Sequence, residues 1–141
     1  MGKAKISLEV IKIMALFESV TGARLKDCVV DNNIAYFIVH PNQSGIAIGR
    51  NGANIKKMES LIKKKSIVIE YSEDKLQFIK NVANIHGNLK IESVSENNGV
   101  IEIKCNDTQT KSIIIGRGRQ NINFIESMIK RHFNISSIVV A

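Results

Sequence analysis

Two short runs of this chain set glycine, arginine and amide side chains at the spacing of a phosphate-binding turn. The first reads Ile46-Ala47-Ile48-Gly49-Arg50-Asn51-Gly52-Ala53-Asn54-Ile55-Lys56. Glycine at both ends of a tight turn removes side chains where a sugar–phosphate backbone would have to touch the protein. The turn feeds a helix N-terminus, whose free N–H groups and positive dipole end favour an anion. Arg50 adds a guanidinium suited to phosphate oxygens. The second run reads Ile113-Ile114-Ile115-Gly116-Arg117-Gly118-Arg119-Gln120-Asn121-Ile122. It has the same outline and one more arginine, but Arg119 stands where the first run has its second glycine.

These runs belong to a longer repeat. Ile46 to Lys64 returns as Ile113 to Arg131 at a constant offset of 67 residues, with ten identical positions, among them Gly49/Gly116, Arg50/Arg117, Asn54/Asn121 and Glu59/Glu126. A period near half of 141 residues implies two copies of one domain, residues 1–72 and 73–141. Each copy is near the lower size limit for a self-sufficient core.

The elements that must carry the turns repeat as well. In the first copy, apolar periodicity predicts a helix from Ser7 to Gly22, with Val10, Ile13, Met14, Phe17 and Val20 as its inward stripe. Strands are predicted over Leu25–Asp31 and Ile34–His40, joined at Asp31-Asn32-Asn33. Asn42 or Ser44 is the candidate cap of a short helix to Ile48. A helix from Ala53 to Lys65 and a strand from Ile67 to Tyr71 follow the turn. In the second copy the expectations are a helix Asp74–His86 and strands Leu89–Ser95 and Val100–Asn106, around the hairpin signal Asn98-Gly99. A short helix capped by Asn106 or Asp107, a helix to Phe133 and a strand Ile135–Val140 complete it. Both halves read α-β-β-α-turn-α-β.

At this point the residues resemble a known family. Ile48-Gly49-Arg50-Asn51-Gly52-x-x-Ile55 is similar to the I-G-x-x-G-x-x-I signature of the KH domain. The element order resembles the prokaryotic, type II form. The resemblance implies an α+β fold: two tandem KH domains, each a three-stranded sheet covered by helices. Two such domains with almost no linker look like the archaeal NusA-like family of transcription termination and antitermination factors. In KH domains the turn clamps about four nucleotides against an apolar groove. By position, Ile46, Ile48 and Ile55 would form or support that groove in the first copy, and Ile113, Ile115 and Ile122 in the second. Gly49, Arg50, Asn51, Gly52, Asn54 and Lys56 would contact RNA, as would Gly116, Arg117, Gly118, Arg119 and Asn121. The implied partners are single-stranded RNA and RNA polymerase, in the cytoplasm. Arg119 is a departure from the signature: either the turn is remodelled, or a side chain sits where the ligand must approach.

Bulk properties agree with a polyanionic partner. Net charge is +7 and aromatic content only 5%, so a reader would be aliphatic rather than an aromatic stacking platform. Cys28 and Cys105 are isolated and read as small buried hydrophobes, not a zinc site. No cofactor or metal is expected. The N-terminus lacks the apolar run of a signal peptide, Gly2 lacks the Ser or Thr of a myristoylation site, and no stretch is long enough for a membrane span. The chain therefore reads as soluble and intracellular, with no membrane and no small-molecule substrate among its partners.

Blander readings compete at each point. Single lysines among Lys56, Lys57, Lys63, Lys64 and Lys65 could be an ordinary solvated helix face. The scattered His40, His86 and His132 have no ligand spacing. Glu59 beside Ser60 and Glu126 beside Ser127 could suggest a base and a nucleophile, but no histidine joins them, and a structural role is more economical. No catalytic constellation is found, so an enzyme is the least favoured class. The alternatives are a ribosome-associated or RNA-processing KH protein, and a protein-interaction scaffold with a degenerate second site.

Overall fold

The computed structural model describes residues 7–87 and 89–141. Gly2, read above for a myristoylation signal, lies outside them, as do the other residues of 1–6. The chain divides into two compact units after Ser72.

In the first unit, helix α1 (Leu8–Thr21) starts where the Ser7 hydroxyl accepts the Val10 N–H at 3.2 Å. It stops where Gly22 turns left-handed, φ 74°. Strands β1 (Leu25–Asp31) and β2 (Ile34–Val39) form an antiparallel hairpin, with Asn32 of the connecting turn at φ 56°. Then come α2 (Ser44–Ile48), α3 (Ala53–Ile62) and β3 (Lys65–Glu70), which lies parallel to β2. The sheet order is β1-β2-β3. Ile13 and Phe17 of α1, Ala35, Phe37 and Val39 of β2, Ala47 of α2 and Met58 of α3 form one core. Phe17 stacks on Phe37 with ring centroids 4.2 Å apart. Burying each phenyl ring contributes about 2–3 kcal/mol, so this pair fixes α1 on the sheet.

The second unit repeats the order. Asp74 caps α4 (Lys75–Ala83), and a single 3-10 turn, Asn84–His86, follows. Strands β4 (Ile91–Asn97) and β5 (Val100–Cys105) pair antiparallel through Asn98 and Gly99, at φ 52° and 83°. Two consecutive left-handed residues are what a tight hairpin turn demands, and Asn-Gly supplies them at least cost. Helices α5 (Thr108–Ile115) and α6 (Gln120–Lys130) precede β6 (Ser137–Val140), which is parallel to β5. Even an irregularity repeats: β1 shifts register between Leu25 and Asp27, and β4 between Ile91 and Ser93. Each unit is thus a three-stranded sheet with helices.

Several boundaries differ from the sequence expectation. Neither Asn42 nor Ser44 caps α2. Gln43 is its N-cap and makes no side-chain cap bond, while the Ser44 hydroxyl donates to Glu70 Oε1 at 2.7 Å. Helix α3 ends at Ile62, not Lys65, because Lys63 adopts left-handed backbone (φ 60°) and the Lys65 N–H donates to the Asn33 carbonyl at 2.9 Å. The chain is pulled into the sheet two residues early. Helix α6 stops at Lys130, short of Phe133, whose ring lies 5.9 Å from that of Phe78. Strand β4 starts at Ile91 rather than Leu89, and β6 at Ser137 rather than Ile135. Cys28 is buried as expected, whereas Cys105 is only half-buried.

Candidate nucleic-acid interface

The first turn joins α2 to α3 through Gly49, Arg50, Asn51 and Gly52. Gly49 sits at φ 79°, ψ 171°, a backbone region essentially confined to glycine. A Cβ there would fall 2.9 Å from Cγ and Nδ2 of Asn54. That closeness has a reason: Asn54 Nδ2 donates to the Ile46 carbonyl at 2.8 Å, bracing the end of α2 against the start of α3. Asn51 (φ 56°, ψ 27°) and Gly52 (φ 75°, ψ 16°) are both left-handed. Helix α3 then begins with no side-chain cap and no acidic residue in its first turn. Helices α1, α4 and α5 are capped by Ser7, Asp74 and Asp107. The positive end of α3 has no capping side chain and no first-turn carboxylate of its own.

The second turn settles how Arg119 is accommodated. Gly116 sits at φ 73°, ψ 170°, Gly118 at φ 62°, ψ 27° and Arg119 at φ 64°, ψ 21°. Position by position these match the first turn, so the backbone is not remodelled. Two consecutive left-handed residues are needed, and each copy spends its second glycine on one of them: Gly52 in the first, Gly118 in the second. Arg119 carries the strain instead. At the equivalent position of the first turn a Cβ on Gly52 would meet only Lys56 Cε, at 3.9 Å, and Arg119 is itself exposed. Asn121 repeats the brace, donating to the Ile113 carbonyl at 2.7 Å. Helix α6 also starts without a side-chain cap or an acidic first turn.

Most of the repeated residues have structural work. Gly49 and Gly116 hold the strained backbone, and Asn54 and Asn121 the brace, a role that sequence reasoning missed. The signal was available: an asparagine five residues after each glycine, identical in both copies. Glu59 Oε2 accepts the Ser66 N–H at 2.9 Å, and Glu126 Oε2 accepts the Ile138 N–H at 3.1 Å. Each carboxylate latches its helix to the last strand, which explains the repeat without catalysis. Arg50 and Arg117 are different. Both are exposed, and neither forms an ion pair among the described residues.

The apolar flank differs between copies. Ile46 and Ile48 are 50% and 42% exposed on α2, an unusual state for isoleucine, while Ile55 is half-buried against the core. Ile113 and Ile115 are half-buried, and Ile122 is 1% exposed. Ile122 is therefore a core residue of the second unit. Lys56 and Lys57 are exposed on α3, where α6 has Asn123 and Phe124. Among the described residues no group of three or more His, Cys, Asp and Glu could hold a metal ion, and no helix is long and apolar enough to cross a membrane.

The KH-domain family model matches residues 11–98. The chain belongs to the KH-domain family. The KH match contains the whole first turn, with its glycines and arginine. Relatives extend the likeness over the full chain. A probable transcription termination protein NusA of Methanocaldococcus jannaschii is 32% identical over 99% of this chain and 76% of its own length. That of Halococcus morrhuae is 28% identical over 99% of both. The crystal structure of APE1850 superposes with a TM-score of 0.77 at 33% identity, covering 96% of this KH protein and 100% of its own chain.

Proposed function

We propose that the chain is a pair of type II KH domains, residues 1–72 and 73–141, that binds single-stranded RNA during transcription elongation and termination. Phosphates are held at the two turns and bases rest on the aliphatic flank of Ile46 and Ile48 and its counterpart at Ile113 and Ile115. The names of the archaeal relatives support the place in transcription, with nascent RNA as ligand, RNA polymerase as protein partner and the cytoplasm as compartment. The action is binding without turnover.

One observation carries the proposal. After the glycines, braces, latches and core isoleucines are accounted for, the repeat still keeps Arg50 and Arg117 exposed, with no ion-pair partner among the described residues, beside an uncapped helix N-terminus. A guanidinium in that setting matches a phosphodiester. Photo-cross-linking of RNA in cells, followed by peptide mapping, tests it. Adducts are expected on peptides containing Gly49–Lys56 and Gly116–Ile122. Adducts confined to other peptides would overturn it.

A further inference from the structure

The same residue pair behaves differently at the ends of the two equivalent helices. In α6, Glu126 and Lys130 stand four residues apart and form an ion pair at 3.1 Å. In α3, Glu59 and Lys63 have the same spacing, yet no ion pair forms. The cause is backbone. Lys63 leaves the helix in left-handed conformation (φ 60°, ψ 36°), so its side chain departs from the row on which Glu59 lies. Glycine is the usual residue at that position, and a lysine there costs about 1–2 kcal/mol. The strained residue supplies a free cation next to two more, Lys64 and Lys65. The three lysines line an open groove of about 680 Å3 with Asn33 and Glu59. The Glu59 carboxylate is held by the Ser66 N–H on Oε2 at 2.9 Å and keeps its charge, so the groove carries three cations against one anion. None of the three lysines has an ion-pair partner among the described residues.

We infer that the groove at Lys63, Lys64 and Lys65 is a second phosphate-binding site of the first unit, taking the RNA strand beyond the nucleotides held at the first turn. The inference rests on the proposal that the first turn binds RNA. Helix α3 separates the two places by about 15 Å, ten residues at 1.5 Å each. Its exposed residues between them are Ala53, Lys56, Lys57, Ser60 and Leu61, cationic or neutral throughout. The one carboxylate a phosphate chain meets on that path is Glu59 in the groove itself, where three lysines outnumber it; the long neutral-to-cationic approach favours RNA over an acidic protein segment held at the groove alone. The outward row of α6 carries Asn123 and Ser127 instead, and its Lys130 is paired, so the extension belongs to the first unit.

Salt-dependent binding of random-sequence single-stranded RNAs tests this on the full chain. One pool is about four nucleotides long, the other about three times that. Each phosphate neutralised on a single strand contributes about 0.7 to the slope of log affinity against log salt. The variant Lys63→Gln/Lys64→Gln/Lys65→Gln is expected to lower the slope by about 2 on the longer RNA, and to leave the shorter one unchanged. Arg50→Glu is expected to weaken both. An unchanged slope for the triple variant, with Arg50→Glu still impaired, overturns the groove and spares the turn. Equal losses on both lengths reduce the lysines to a general field and also overturn it. Wild-type protein that binds neither pool defeats the turn and the groove together. A poly-glutamate peptide bound by wild type and lost in the triple variant, with RNA slopes unmoved, identifies an acidic protein as the occupant instead.

Discussion

At Gly49 a methyl group would fall 2.9 Å from the Asn54 amide, whereas at Gly52 it would meet nothing closer than 3.9 Å. The two glycines of the signature therefore have separable roles. Gly49→Ala must distort a backbone region almost exclusive to glycine and displace the brace, at a cost of about 3 kcal/mol or more. Gly52→Ala meets only the left-handed penalty, about 1–2 kcal/mol. Urea unfolding should rank them in that order; equal midpoints would contradict the brace. Arg119 offers the reciprocal test. Arg119→Gly should leave the fold as stable or up to about 1 kcal/mol more stable, while reducing the salt slope of RNA binding by about 0.7. The candidate turn was legible in sequence because glycine spacing and the repeat both mark it. That Arg119 keeps the same dihedrals as Gly52 was not legible, because a sequence shows where glycine is absent and not which backbone an arginine accepts.

Helix and strand boundaries were readable where a side chain decides them locally, and misread where tertiary contacts do. Ser7 and Gly22 bound α1 as expected, since capping and left-handed termination act within one turn of chain. The end of α3 was misplaced because Lys63, Lys64 and Lys65 are good helix formers, and only the bonds from Lys65 N–H to Asn33 and from Ser66 N–H to Glu59 draw them away. The same strand start leaves a testable mark. The Ser66 hydroxyl is buried with no hydrogen-bond partner. Ser66→Ala should be neutral or stabilising by about 1 kcal/mol, since an unsatisfied buried hydroxyl is a net cost; marked destabilisation in thermal unfolding would show an unseen partner. At α5, Asp107 accepts the Thr110 N–H at 2.6 Å, and bonds from Thr110 hold its carboxyl below the usual range. A depressed folded pKa means the cap stabilises fully above the ordinary carboxylate range and is lost as pH falls through the folded value. Asp107→Asn keeps the cap without the titration, so its unfolding midpoint should fall less on acidification than that of wild type.

For the whole chain, the repeat was the most legible feature, because a shared element order survives even where individual boundaries shift. The passage from α6 to β6 is four residues longer than that from α3 to β3, and it was absorbed without altering the strand order. Glu126 reaches Ile138, twelve residues on, as Glu59 reaches Ser66, seven residues on. A net charge of +7 says that a polyanion is favoured, but not where it sits. We propose that it sits where Arg50 and Arg117 stand exposed beside the uncapped N-termini of α3 and α6. The central claim is that the first turn is an RNA clamp, and its most direct test is a double substitution, Arg50→Glu with Asn51→Asp. Aspartate tolerates the left-handed backbone that Asn51 adopts, so the circular dichroism spectrum and unfolding midpoint should match wild type. Affinity for single-stranded RNA at low salt should fall by at least about a hundredfold, the loss of one charge-assisted phosphate contact plus the repulsion introduced. A folded variant that binds RNA as tightly as wild type would contradict the clamp.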